Sequence, residues 1–171
     1  MQLIENGHPI DDRFSRVPDE EALPEGVPVL IGFERFLSEA EALKSRQAPV
    51  GVIWPNNRPV GELEPYLGQI SLIALVFPTF RDGRAYSQAR LLRERHGWRG
   101  HLRATGNVLR DQFLLMARSG FDQIEPTKEA DAAHFDEAME SYTVFYQPTA
   151  DGRPSLLRER LGRVASTGAR P

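Results

Sequence analysis

Arginine is concentrated in one segment whose residue types suit the binding of an anion. From Arg81 to Arg118 the chain has nine arginines against three acids, Asp82, Glu94 and Asp111, whereas its formal net charge is −3. A guanidinium group can hold phosphate, sulfate or carboxylate through two parallel N–H donors. The segment therefore predicts a site for an anion or for a partner, although it does not specify a reaction.

Two loops of this segment combine glycine with a polar neighbour directly before a predicted helix. Residues 78–84 contain Asp82-Gly83, and residues 105–107 contain Gly106-Asn107. Helix N-termini expose backbone N–H groups that favour anions, and neighbouring arginines add positive charge. We therefore predict an anion-binding or partner-binding site formed by Arg81, Asp82, Gly83, Arg84, Arg103, Gly106, Asn107, Arg110, Asp111 and Gln112.

The same side chains also have structural interpretations. Asp82 and Asn107 are residue types that cap helix N-termini, so capping alone would account for them. Arg110 lies in a predicted first turn, where its charge opposes the helix dipole unless an acid or an anion compensates it. Ion pairs of Asp82 with Arg110, or of Arg81 with Asp111, would alternatively lock the two loops together.

The helix after the first loop is expected to carry a solvated, charged face. Arg90, Arg93 and Glu94 fall on it. Arg90 and Glu94 form an i,i+4 pair worth about 0.3–0.5 kcal/mol.

Composition excludes several kinds of chemistry. The chain has no cysteine, which rules out disulfides, thiolate catalysis and cysteine-ligated metal centres. Its four histidines lack metal-ligand spacing, and neither a dinucleotide-binding fingerprint nor a P-loop is present. We therefore expect no metal and no cofactor. A pI near 5.8 and the lack of a recognised module argue against nucleic-acid binding.

The sequence also indicates where the protein acts. The longest apolar run has only a few residues, too few for a transmembrane helix. The N-terminus lacks the basic and apolar regions of a secretory signal. We therefore expect a cytoplasmic protein that does not enter a membrane.

Strand and helix patterns alternate along the chain. Leu3 and Ile4 before Asn6-Gly7 predict a small N-terminal hairpin. Strands are predicted at 27–31, 50–54, 70–77, 101–104, 121–125 and 143–146. Helices are predicted at 36–46, 86–96, 108–119 and 127–142, and residues 60–67 are predicted as a short helix or turn. This organisation predicts a hairpin and linker over 1–26, one α/β domain over 27–147 and a tail over 148–171.

The alternation predicts an open, mostly parallel sheet covered by helices. Two architectures satisfy it: an open doubly wound sheet of about five strands, and an incomplete βα barrel. The incomplete barrel would leave open edges and favour a homodimer. In both, ligands bind beyond the carboxyl ends of the strands, where the two glycine-containing loops are expected.

The Arg-rich segment has a specific motif pattern. It contains FRDGRAYSQARLLRER, then GHLRATGNVLRDQ, then GFD. Over residues 77–122 it resembles a bacterial family known as domain of unknown function 934, whose signature runs F-x-DGR-x-YS-x-ARLLRER, G-x-LRA-x-G-x-VLRDQ and GFD. Lighter similarity extends over 26–147. Asn107 stands where the family usually has Asp, and Ser119 stands where Cys is common.

The resemblance implies a function but no catalytic residue. Family members are commonly encoded beside the sulfite reductase haemoprotein and other sulfate-assimilation genes, and some are labelled probable oxidoreductases. The resemblance therefore implies an accessory protein of assimilatory sulfite reduction, with the haemoprotein as partner. An oxidoreductase is disfavoured because the sequence shows no means of carrying electrons.

Two alternatives to the accessory role remain open. One is a small enzyme acting on a phosphorylated or sulfated metabolite. In it Arg81, Arg84 and Arg110 would hold the anion, and Asp82 or Asp111 would act as acid or base. The other is a regulatory or structural dimer in which the signature loops stabilise the fold.

Overall fold

The computed structural model describes residues 3–128 together with Phe135 and Glu137, which are helical. The predicted strand 143–146 and tail 148–171 lie outside the described residues, as does most of the predicted helix 127–142. The described part contains eight strands: β1 (Leu3–Glu5), β2 (His8–Ile10), β3 (Ser15–Arg16), β4 (Val29–Gly32), β5 (Val50–Trp54), β6 (Leu72–Phe77), β7 (His101–Gly106) and β8 (Gln123–Ile124).

Helices connect the parallel strands. They are α1 (Phe33–Leu43), α2 (Arg84–Arg90) and α3 (Phe113–Ser119), with 3₁₀ turns at Val60–Tyr66 and Arg110–Gln112. A π-helical turn, Leu91–Arg95, continues α2. Most predicted elements are thus present with shifted ends. The two-residue β3 was not predicted, because two exposed residues give no alternating pattern.

All eight strands belong to one sheet, in the order β2-β1-β8-β7-β6-β5-β4-β3. Strands β3 to β8 are parallel, and the β1–β2 hairpin adds antiparallel to β8. The predicted open, mostly parallel sheet is confirmed. Each parallel strand lies beside the one before it in the chain, so the order never reverses. The doubly wound version of the prediction is therefore wrong, and the sheet has the order of an incomplete βα barrel.

The connection between β2 and β3 shows how strongly the sheet curls. These two strands form opposite edges, yet only five residue steps separate Ile10 from Ser15. Five steps reach at most about 18 Å, whereas seven strand spacings in a flat sheet would hold the edges about 34 Å apart. The sheet is therefore curled into a half-barrel, and residues 11–14 cross its open side.

The main hydrophobic core lies between the outer face of the half-barrel and the helices. Alternate strand residues such as Val52, Ile73 and Leu75 point outward and are fully buried. Phe36 of α1 and Phe113 of α3 belong to the same cluster. Right-handed crossovers between sequential strands place the helices on one face, which leaves the concave face without helices.

The concave face is apolar on one side and polar on the other. Leu30, Leu72 and Ala74 form a small buried cluster against which Phe14 of the crossing segment packs. Toward β8 the face instead carries buried polar residues, namely Arg103, Thr105, Gln123 and Glu125. Buried polar groups require partners, and here they pair with the crossing segment and with β3.

Two ion pairs join the ends of the curled sheet. Arg103 is 1% exposed, and its Nη1 and Nη2 donate to Asp12 Oδ2 and Oδ1 at 2.7 and 2.8 Å. Its Nε donates to Gln123 Oε1 at 3.0 Å. Arg16 of β3 pairs with Glu125, just beyond β8, at 3.0 Å. The guanidinium groups therefore connect parts of the sheet that a flat arrangement would separate.

We expect Asp12→Asn to destabilise the protein by about 2 kcal/mol, the scale of hydrogen bonds to a charged group. The buried Arg103 would lose its carboxylate, although the 35% exposure of the Asp12 side chain lets water compensate in part. Urea unfolding measures the change. Asp11→Asn is the matched control, because Asp11 is exposed and has no ion pair within the described residues. Equal stability of the two variants would contradict the role of the pair.

The stabilisation by Asp12 should depend on pH. Burial raises the pKa of Asp12, but hydrogen bonds from Arg103 and the Phe14 amide outweigh this and lower the pKa overall. A depressed folded-state pKa gives stability that is present above the unfolded value of about 3.9 and is lost as pH falls through the folded value. The difference in unfolding free energy between wild type and Asp12→Asn should therefore hold near neutral pH and shrink below about pH 4. Unfolding curves across this range test it, and a constant difference would refute it.

Candidate functional site

The two glycine-containing loops meet at the carboxyl edge of the sheet. They follow β6 and β7, which are adjacent and parallel with Phe77 opposite Gly106. The Asn107 amide donates to the Phe77 carbonyl at 2.7 Å. Gly106 has φ +95°, and a Cβ on it would lie 2.5 Å from that carbonyl oxygen. A backbone contact that only glycine permits therefore holds the loops together.

Asp82 and Arg84 form a local ion pair in the first loop. Asp82 Oδ1 accepts from the Arg84 amide at 3.3 Å and from its Nε at 3.0 Å, and Oδ2 accepts from Nη2 at 2.6 Å. The hydrogen bonds from Arg84 lower the pKa of Asp82 strongly against the effect of burial, and nearby Asn56 lowers it further. Asp82 thus accepts from the first backbone amide of α2, and its lowered pKa favours the charged carboxylate.

Gln112 and Arg110 of the second loop each have partners within the protein. The buried Gln112 accepts from the Leu109 amide at 3.0 Å through Oε1, and its Nε2 donates to the Phe80 carbonyl at 3.5 Å. Arg110 pairs with Glu137 at 2.7 Å. Glu137 is therefore the acid that compensates the charge of Arg110 in its helical first turn. The suggested pairing of Arg110 with Asp82 is wrong.

Four other side chains of the two signature loops make no hydrogen bond or ion pair within the described part of the chain. Phe80 is 51% exposed, and Arg81, Asn107 and Asp111 are exposed beside it in sequence or on the adjoining loop. The suggested Arg81–Asp111 ion pair does not form. We call these four residues the signature surface. Their side chains contribute little to the fold, which leaves them available for contact with another molecule.

Arg103 does not join the other predicted site residues. It lies on the concave face with its guanidinium bound by Asp12 and Gln123, so it is occupied in holding the sheet. Its position between Leu102 and Ala104 in a strand indicates this placement, because alternate strand residues point to opposite faces. An arginine inside a buried strand requires an acidic partner.

An open cleft of about 580 Å³ lies beside the signature loops, between residues 56–61 and α2 with its π-helical turn. Arg84 lines it, together with residues that were not predicted for the site: Asn56, Arg58, Gln88, Leu91, Arg95 and His96. The sequence contained a signal for them, because positions 84, 88, 91 and 95 fall on one helix face.

The basic side chains of the cleft differ in how they are paired. Arg58 contacts Glu62 and lies over the rings of Phe33 and Trp54, with centroid distances of 4.9 and 5.6 Å. His96 Nδ1 lies 3.6 Å from a carboxylate oxygen of Glu64. Arg95 is exposed and has no acidic partner among the described residues.

Two buried amides line the same cleft. Gln88 Nε2 donates to the carbonyls of Pro55 and Arg58 at 3.0 and 2.8 Å, which fastens the loop to α2. Its Oε1 has no partner in the described region. Asn56 Nδ2 lies near the Asp82 carboxylate, whose pKa it lowers, but it makes no hydrogen bond of normal geometry in that region. Asn56 and Gln88 are only 8% and 6% exposed. Unpaired buried polar atoms are costly, so these two distinguish the cleft from an ordinary surface depression.

The charged face predicted for α2 is only partly present. Arg90 and Glu94 form the expected i,i+4 pair at 3.2 Å. The interpretation of Arg93 as solvated is wrong, because its side chain is 15% exposed and burial lowers its pKa. Arg93 donates to the carbonyls of Gly120, Trp98 and Gly100, each at 2.9 Å. It therefore joins the end of α2 to the ends of neighbouring elements.

Within the described residues, no cluster of His, Cys, Asp and Glu could hold a metal ion. None of the helices in that part of the chain is both long and apolar enough to span a membrane. The chain matches the model of one family, described as a bacterial protein of unknown function (DUF934), over residues 51–157. The match includes both signature loops and the cleft. No curated protein matches the chain.

Gly106→Ala should destabilise the protein by more than about 2 kcal/mol, because alanine is strained at positive φ and its Cβ would strike the Phe77 carbonyl. Gly83→Ala is the control from the other loop. A Cβ at Gly83 would meet only Tyr86 at 3.4 Å, so the cost should be about 1 kcal/mol or less. Chemical unfolding compares the two, and equal losses would contradict the assignment of Gly106 as the joint between the loops.

Proposed function

The chain belongs to the bacterial DUF934 family, and from that membership we propose that it is a cytoplasmic accessory protein of assimilatory sulfite reduction. It acts by contacting the sulfite reductase haemoprotein through the signature surface and holds a small anion at the same edge of its sheet. The assignment to this pathway is supported by the resemblance, since family members are commonly encoded beside that haemoprotein.

The observation that carries the proposal is that some signature residues hold the two loops in place whereas others only face solvent. Gly106, Gln112 and the Asp82–Arg84 pair hold the two loops in place. Phe80 and Asp111 belong to the same motifs, yet they face solvent without hydrogen bonds or ion pairs in the described part of the chain. Residues that define a family but do not stabilise its fold are best explained by contact with another molecule.

The composition of the signature surface fits protein contact. Aromatic and arginine side chains are enriched at the energetically important centres of interfaces. Phe80 is half exposed, and burying an entire phenylalanine side chain is worth about 1.5–3 kcal/mol. Arg81 and Asp111 bear opposite charges, which would set the orientation of a partner with complementary charges.

An enzyme acting on a phosphorylated or sulfated metabolite is the second candidate, and the cleft beside the signature loops favours it. The lowered pKa of Asp82 keeps that carboxylate charged, which disfavours it as a general acid. A second copy of this chain would be the partner if the protein is a regulatory dimer.

Phe80→Ala and Asp111→Asn should each weaken binding to the purified haemoprotein at least tenfold, a loss of about 1.4 kcal/mol. The measurement is titration calorimetry with the haemoprotein from the same organism. Leu115→Ala is the matched control, because Leu115 is 52% exposed on α3 but lies outside the signature surface. It should bind as the wild type does.

The contact must also matter in the cell. A deletion strain should grow more slowly on sulfate than on cysteine, and Phe80→Ala should fail to restore growth where Leu115→Ala succeeds. Normal growth of the deletion strain on sulfate, together with no detectable binding of the haemoprotein, would overturn the proposal. Self-association lost in Phe80→Ala would instead identify a second copy as the partner.

A further inference from the structure

We propose that the cleft between residues 56–61 and α2 binds a compact organic ester of sulfate or phosphate, with Arg95 as the main contact to its anionic group. This inference rests on the anion-binding half of the proposed function and is independent of the partner contact. It moves the anion away from Arg81, Arg103 and Arg110, where the sequence predicted it.

Electrostatics select Arg95 as the anchor. The cations Arg58 and Arg84, also in the cleft lining, are each paired with an acid, whereas Arg95 has no such partner within the described residues. An exposed guanidinium in a concave site can bind an oxyanion bidentately without first breaking an internal ion pair. Arg95 is therefore the cation whose binding capacity the folded chain leaves unused.

Arg84 is positioned as a second donor. Asp82 accepts hydrogen bonds from its Nε and Nη2. The N–H groups of its Nη1 have no acceptor among the described residues. The Arg84 side chain is 59% exposed and lines the cleft. Asp82 thus restricts the guanidinium to one orientation, which reduces the entropy lost when an anion binds.

The size and lining of the cleft indicate a ligand that is larger than an inorganic oxyanion. Its volume of about 580 Å³ lies within the range of small-molecule sites and exceeds what one tetrahedral anion fills. Pro59 and Leu91 supply apolar surface, and Leu91 is 42% exposed. An apolar side chain exposed within a concave site suits the organic part of a ligand rather than its charged group.

The two buried amides provide for polar groups on that organic part. Gln88 has a carbonyl oxygen that lacks a partner in the described region, and Asn56 has an N–H group that lies near Asp82 without a hydrogen bond of normal geometry. Both atoms are closed off from solvent, so a hydroxyl or amide group of a ligand would satisfy them once these side chains turn toward the cleft, because such groups donate and accept. These amides distinguish the site from a surface cluster of arginines, which would bind any anion by charge alone.

The test measures binding of phenyl phosphate and phenyl sulfate by titration calorimetry, in chloride buffer, to the full chain. The wild type should bind at least one ester saturably. Arg95→Gln should weaken binding at least tenfold. Arg99→Gln is the matched control, because Arg99 is exposed and outside the cleft lining, and it should bind as the wild type does. Equal melting temperatures would show that all three proteins are folded.

Control ligands distinguish binding of the whole ester from binding of its anionic group or its ring alone. Inorganic sulfate, inorganic phosphate and uncharged phenol should each bind at least tenfold more weakly than the better ester. Inorganic anions that bind as tightly as the ester would overturn the assignment of an organic ligand. Ester binding that Arg95→Gln leaves unchanged would overturn the site itself, as would the absence of saturable binding.

The signature-surface variants distinguish this proposal from the partner contact. Phe80→Ala should bind the ester normally, since Phe80 does not line the cleft. Arg95→Gln should bind the haemoprotein normally for the corresponding reason. Loss of ester binding in Phe80→Ala would contradict the separation of the two sites. Failure of only one of the two binding experiments would therefore reject only the proposal that it tests.

Discussion

The arrangement of the molecule depends on the ion pairs that cross the concave face of its sheet. Arg103 and Asp12 tie β7 to the segment that spans the open side, and Arg16 with Glu125 ties the edge strand β3 to the end of β8. A guanidinium that is 1% exposed is stable there only because oxygen atoms accept from its Nε and both Nη nitrogens. These contacts fix the curl of the sheet, and the curl fixes the direction in which each strand ends.

The sequential strand order has a direct consequence for function. Because neighbouring parallel strands are consecutive in the chain, consecutive loops also become neighbours at the carboxyl edge. The loops after β6 and β7 touch through Gly106 and Phe77, and the loop after β5 lies against α2 through Gln88. The signature surface and the cleft therefore lie near each other because of one topology.

The Arg-rich segment is not one uniform basic surface. Arg93 and Arg103 hold carbonyl or carboxylate oxygens inside the fold, and Arg84 is held by Asp82. Arg81 and Arg95 remain exposed without partners among the described residues. The number of arginines in the sequence therefore overstates the positive charge that is available to a ligand, and only the tertiary structure shows which of them can bind one.

The sequence by itself determined the local elements and the position of the two glycine-containing loops at the carboxyl edge. Short apolar runs specify buried strands such as Val50–Trp54, and Asn6-Gly7 specifies the hairpin, because both signals depend on near neighbours. The tertiary structure decided the strand order, the pairing of Arg103 with Asp12 and the cleft around Arg95. Those contacts join residues that are distant in the chain, and their energies depend on burial and on partners that no local pattern records.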